Sequence, residues 1–113
     1  MEYKYIHNYL KQWNPIVNCE KPYGCIVAVN HFDKFVTIGV SICNPRDTYN
    51  KKIGFDLAYK RAVEYPIEYK LCSFHRFAIL EAVDRIIVRS VRYFKNIPVI
   101  YPKNFKIVRW DED

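Results

Sequence analysis

Two kinds of hydrophobic spacing run along the chain, and each predicts a different element. Residues 35–43, FVTIGVSIC, alternate strictly. Val36, Ile38, Val40 and Ile42 share one face, and Phe35, Thr37, Gly39, Ser41 and Cys43 share the other. That period of two predicts a strand with the uniformly apolar set turned to the core. The smaller set lets something approach closely on the opposite face, with a bulge at Gly39 as the other reading. Residues 25–30, CIVAVN, form a second apolar strand. His31-Phe32-Asp33-Lys34 is a short connection, so the two strands predict an antiparallel hairpin.

Helical spacing takes over on either side. Residues 2–13 predict a short helix with Tyr5, Ile6, Leu10 and Trp13 on one face, stopped by Asn14-Pro15. Residues 16–24 read as a loop with at most a short edge strand. A helix over about 48–64 follows the turn at Asn44–Thr48, with Asp47 or Thr48 as its N-cap. Tyr49, Ile53 and Leu57 form its apolar stripe, beside Ala58 and Ala62. Lys52, Asp56 and Lys60 are spaced for ion pairs. Pro66 ends it. A longer helix over about 75–95 buries Leu80, Val83, Ile87, Val91 and Phe94. Residues 105–110, FKIVRW, predict a last strand. The expected order is α-β-β-α-α-β. This is one α+β domain spanning residues 1–113, with a small antiparallel sheet of about three strands and helices packed on one face.

Half of the residues are hydrophobic and 17% are aromatic, enough for a real core, which excludes global disorder. No apolar run approaches the ~20 residues of a membrane helix, and none follows Met1-Glu2-Tyr3-Lys4 as in a secretory leader. The expectation is a cytoplasmic protein with reduced thiols and no membrane association. The four cysteines, 19, 25, 43 and 72, make no C-x-x-C pair and no close cluster with histidine, so neither a metal nor a cofactor is expected.

Charge changes the picture more. The net charge is +6, and Asp111, Glu112 and Asp113 supply three of the 12 acidic residues. The remaining 18 basic and nine acidic side chains leave +9. Such a body suits an anionic partner, although solubility alone also accounts for it. Two basic groupings stand out. Arg46, Lys51 and Lys52 surround a predicted helix N-terminus, whose free N–H groups and dipole favour phosphate. Tyr49 and Tyr59 are the candidates for stacking on a base there. Arg85, Arg89 and Arg92 recur at i, i+4 and i+7 on the long helix, opposite its apolar stripe, with Glu81 placed to pair with Arg85. Either set reads as a solvated face or as a phosphate or interface patch. The Walker pattern is missing. Gly54 lies inside a helix at a cost of about 1 kcal/mol against Ala, which points to close packing there or to a ligand.

The catalytic inventory is thin. Cys72, Ser73 and His75 are sequence neighbours, which is not a dyad, and no carboxylate pair or H-E-x-x-H motif occurs. No catalytic residue is assigned, and a non-enzyme is expected.

The segment from Gly39 to Ala62 carries C-N-P-R-D-x-Y-N-K-K-I-G-x-x-L-A-x-x-R-A. It resembles a pattern in small bacteriophage and prophage proteins, in which an apolar strand ends in Cys-x-Pro-Lys-Asp and the helix reads Lys-Lys-x-Gly-Arg. The matching positions are Cys43, Pro45, Asp47, Lys51, Lys52, Ile53, Gly54 and Arg61. Phe55 departs, standing where that pattern tends to have Arg. The resemblance covers only this segment. It implies a phage-like origin, and with it a binding protein that acts against a host defence process inside the bacterial cell. Three modes are open: sequestering a nucleotide signal, most naturally in a cleft between the subunits of a homodimer; masking a host protein or nucleoprotein as anti-CRISPR inhibitors do; or plain nucleic-acid binding.

Overall fold

The computed structural model describes residues 2–43, 47–64, 68–71, 76–101 and 104–107. Three strands come first: β1 (Lys4–Asn14), β2 (Cys19–Asn30) and β3 (Val36–Ile42). Helix α1 (Lys51–Glu64), strand β4 (Glu68–Leu71), helix α2 (Arg76–Tyr93) and strand β5 (Asn104–Ile107) follow. The first three strands form one antiparallel sheet in the order β1-β2-β3. β4 and β5 pair in parallel as a separate two-stranded sheet.

The α+β class, an antiparallel sheet of three strands and the β2–β3 hairpin agree with the sequence reading, but the third strand of the sheet is β1 and not the segment from residue 105. The element order differs too. The segment expected to open the chain as a helix is strand β1, so the order is three strands and then the helices. Burial explains why. From Gly24 to Asn30 every residue of β2 is buried, as in a central strand covered on both faces. A central strand needs a partner at each edge, and β1 supplies the second. In and just before β1, Ile6 and Leu10 point to one face while Tyr3 and Tyr9 point to the other, a period of two. Aromatic residues suit that pleated surface.

The helices also lie on opposite faces of the sheet, not on one. Ile26, Ala28, Val36, Ile38 and Val40 pack with Ile79, Val83, Ile86, Ile87 and Phe94 of the α2 side. Cys25, Val27 and Val29 pack with Ala58 and Ala62 of α1. The strands are apolar or small on both sides, so both sides require a cover. The last strand joins β4 rather than the hairpin, and its continuation to residue 110 lies outside the described residues.

Helix α1 is rotated relative to its expected stripe, and α2 departs from its stripe at two positions. In α1 the buried positions are Gly54, Ala58 and Ala62, while Ile53 and Leu57 are exposed. Small residues win because the sheet approaches so closely. A Cβ at Gly39 would run into the Ala58 carbonyl and lie 2.5 Å from the Ala62 nitrogen. The close approach expected beside Gly39 is therefore made by α1. Polar links fasten the same contact. Ser41 Oγ donates to the Gly54 carbonyl at 2.5 Å, and Thr37 Oγ1 donates to the Ala62 carbonyl. Arg61 donates to the Val40 carbonyl at 2.6 Å. On the α2 side Val83, Ile87 and, just past the helix, Phe94 are buried as expected, together with Ile79, Ile86 and Ser90, whereas Leu80 and Val91 face outward. Ser90 Oγ donates to the Ile86 carbonyl at 2.6 Å, so its hydroxyl is buried without loss.

The β1–β2 ladder slips one residue between Leu10 and Lys11. Beyond this bulge the two strands run on as an arm of mostly exposed residues, turning through Pro15–Asn18. Asn14 Oδ1 accepts the Ile16 N–H at 2.9 Å within the turn, and Asn18 takes a positive φ of 52°. Ile16 is 91% exposed at the tip. Among the described residues, neither helix is long and apolar enough to cross a membrane.

Candidate functional site

Helix α1 begins at Lys51, later than expected, and its cap is Asn50 rather than Asp47 or Thr48. Asn50 Oδ1 accepts the Ile53 N–H at 3.2 Å, and its carbonyl accepts the Gly54 N–H at 2.9 Å. No acidic residue stands in the first turn, so Lys51 and Lys52 add charge to an already positive helix end. Lys52 is exposed. Lys51 Nζ lies 5.1 Å from the centroid of the Tyr9 ring, within cation–π range. Arg46 lies outside the described residues.

Tyr49 does not form a stacking platform. Its ring fills the space a side chain at Gly54 would need, with Cε1 at 2.7 Å and Cζ at 2.8 Å from the Cβ position. This accounts for a glycine inside the helix. The Tyr49 hydroxyl is buried and has no hydrogen-bond partner among the described residues. Burial, followed by the neighbouring Cys25, Tyr9 and Cys43, raises its pKa. Cys25, fully buried beside it, has its thiol pushed up to about 12 by burial.

Tyr59 is half-buried two turns further along α1, within an aromatic wall that the sequence reading missed. Tyr59 meets Tyr5 at 5.5 Å between centroids, and Tyr5 meets Phe55 at 5.3 Å. Phe55 meets His7 at 5.1 Å, and His7 meets Tyr9 at 5.5 Å. The wall thus links Tyr59 to Lys51 through rings of β1 and α1. Phe55 sits at its centre, at the position where the phage pattern tends to have Arg. The available signal was the alternation of Tyr3, Tyr5, His7 and Tyr9, masked by reading the segment as a helix. Burial, then the Arg89 charge, lowers the His7 pKa.

The arginines of α2 gather on one face. Arg85 pairs with Glu81 at 2.6 Å, with both side chains exposed. Arg89 donates to the His7 carbonyl and to Asn8 Oδ1, each at 3.2 Å. Arg92 is exposed and makes no ion pair among the described residues. Together with Glu81, Asp84 and Val88, the three arginines line an open hollow of about 580 Å³. All six lining residues come from α2, so the hollow has one wall. A second groove, about 780 Å³, runs along the base of the arm between Trp13, Tyr23 and Tyr49.

His31 and Thr37 are held in contacts with α1. His31 Nε2 lies 2.6 Å from Thr37 Oγ1 and 3.2 Å from the Ala62 carbonyl, and its ring stacks on Phe35 at 4.7 Å. The Thr37 hydroxyl donates to the Ala62 carbonyl and so links β3 to α1. Burial lowers the His31 pKa against the opposing Ala62 hydrogen bond. Cys72, Ser73 and His75 lie outside the described residues. Among the described residues no three His, Cys, Asp or Glu side chains gather to hold a metal ion. No protein-family model, curated protein or solved structure matches this chain.

Proposed function

We propose that this chain is a non-enzymatic binding protein that holds an anionic ligand of the nucleotide class against the arginine face of α2. In the setting implied by the phage resemblance, it works inside the bacterial host cell and removes a signal that a defence process needs. The observation that carries the reading is the convergence of Arg85, Arg89 and Arg92 on one hollow. Guanidinium groups grip phosphate in two-pronged fashion and cannot lose their charge. By contrast, Lys51 and Lys52 stand on the other face of the sheet, and Tyr49 is committed to packing. Small ligands are enclosed over most of their surface. A hollow with one wall therefore calls for a second copy of the chain to close it, as in a homodimer.

Absorbance at 260 and 280 nm of the purified protein, then mass spectrometry of whatever is released on denaturation, tests this directly. Released nucleotide is the expected result. Arg85→Ala with Arg92→Ala should abolish its retention and move the melting temperature by no more than about 2 °C, since both side chains are exposed. Retention unchanged in that variant would refute the site. Lys51→Ala with Lys52→Ala serves as the comparison at the α1 end.

A second reading, direct masking of a host protein, is supported by a different observation, the aromatic wall beside β1. A protein complex is stoichiometric and depends weakly on salt, whereas plain nucleic-acid binding falls steeply as salt rises.

A further inference from the structure

The two outer edges of the three-stranded sheet are treated differently. Along β3 the edge is covered. Val36 donates to the Pro98 carbonyl at 2.9 Å and accepts from the Ile100 N–H at 2.8 Å. Arg61 caps the Val40 carbonyl. These bonds also fix the parity of the sheet. Val36 and Val40 turn their main-chain groups away from β2. By register, Tyr5, His7 and Tyr9 must turn theirs outward on the β1 side. Each of the three carries one N–H and one carbonyl. Among the described residues, one of those groups has a partner outside the ladder: the His7 carbonyl, held by Arg89.

Uncovered among the described residues, this edge has two unlike flanks. On the α1 side stands the wall of Tyr5, His7, Tyr9, Phe55 and Tyr59, with Tyr5 43% exposed. On the α2 side stands Arg89, with the arginine hollow behind it. We infer that the outer edge of β1 accepts an extended partner segment that alternates apolar or aromatic residues with acidic ones. Added as a fourth strand, such a segment turns successive side chains to opposite faces. One set lies on the aromatic wall, and the other brings carboxylates to Arg89. The Arg89–carboxylate pair is the stronger bond, being charge-assisted on both sides, so Arg89 leaves the His7 carbonyl and frees it for the new ladder. Arg89 thereby shields the edge in the free protein and clamps the partner in the complex.

A second copy of β1 is the poorer occupant. Antiparallel pairing about His7 would bring the Arg89 side chains of both copies to the two-fold axis, and β1 itself carries Lys4 and Lys11 with no acidic residue. The inference is independent of the nucleotide reading and shares only Arg89 with it.

The test uses a short end-capped synthetic peptide alternating valine and tyrosine with glutamate, followed by fluorescence anisotropy and hydrogen exchange. Saturable binding, lost when lysine replaces glutamate, is expected, with slowed exchange at the Tyr5, His7 and Tyr9 amides. His7→Pro removes an outward N–H without touching the β1–β2 ladder, whereas His7→Ala keeps it. The proline variant should bind about tenfold or more weakly than the alanine variant. Where His7→Pro does not fold, amide protection at Tyr5 and Tyr9 in the unaltered chain decides. Equal binding by the two variants, or protection elsewhere, overturns the inference. So does protection of the same amides by self-association alone, or by a single-stranded oligothymidylate in place of the peptide. Arg85→Ala with Arg92→Ala should still bind the peptide, which separates failure of this surface from failure of the hollow.

Discussion

Gly39→Ala tests the packing logic of the whole α1 face with a single methyl group. The added Cβ would collide with the Ala58 carbonyl, lie 2.5 Å from the Ala62 nitrogen and 3.0 Å from the Ala62 Cβ. Comfortable carbon contacts begin near 3.5 Å, and the colliding atoms belong largely to backbone, so no side chain can swing aside. The helix must therefore retreat by about an ångström or more. Overpacking of this kind costs roughly 1–3 kcal/mol. The retreat also stretches the Thr37–Ala62 and Ser41–Gly54 links, at about 1 kcal/mol each. Gly39 has no positive φ, so alanine strains no dihedral and regains about 0.4–1 kcal/mol through the unfolded chain. The balance is a loss of about 2–4.6 kcal/mol. For a domain of this size that lowers the melting temperature by roughly 8–18 °C. Thermal melts followed by far-ultraviolet circular dichroism, with urea titration at fixed temperature, read both quantities. A melting temperature within about 2 °C of the unaltered protein would refute the argument that α1 sits hard on β3.

Three further outcomes are expected. His31 has a lowered pKa in the folded state, so the unfolded chain binds the proton more tightly; its contribution to stability is whole above the unfolded value of 6.5 and is lost as pH falls from there through the folded value. Melting temperature should drop between pH 7 and pH 5 and drop less in His31→Gln, leaving the part that His7 contributes in the same direction. Native alkylation near pH 8, mapped by peptide mass spectrometry, should label exposed Cys19 readily and spare Cys25, whose buried thiol titrates near 12, until the chain is unfolded. Asn50→Ala should cost about 1 kcal/mol by uncapping α1, while Asn50→Asp should hold or raise the melting temperature because an anionic cap suits that helix end.

Strand β3 was legible in the sequence because its two faces differ so sharply, branched apolar on one side and small on the other. The small face even announced its neighbour: Gly39 and Ser41 are where α1 comes closest. β1 was not legible because Tyr5, Ile6, Leu10 and Trp13 also satisfy a helical spacing. What decides the matter is the second edge of β2, a long-range need that no local window contains. The stripe of α1 was misjudged for a related reason, and that of α2 only in part: Val83, Ile87 and Phe94 are buried as expected, while Leu80 and Val91 are not. In α1, Ile53 and Leu57 are the larger residues, yet burial went to Gly54, Ala58 and Ala62, because the sheet comes too close there for anything bulkier. At the candidate site, the arginine spacing and the Glu81–Arg85 pair followed directly from helical periodicity. The aromatic wall could not, since it joins β1 to α1 across some fifty positions of chain. Nor could the fate of Tyr49, whose role follows from the absence of a side chain at Gly54.

The arm beyond the Leu10–Lys11 bulge is a two-stranded ribbon of mostly exposed residues, with little core of its own. Ribbons of that kind are marginal in isolation, and opening one disturbs few buried contacts. Its tip at Ile16 and Val17 is thus the natural place for a protease to cut first and for an engineer to insert a label or an affinity tag. Both would report on the arm while leaving the layered body, and the arginine face on its far helix, as they are.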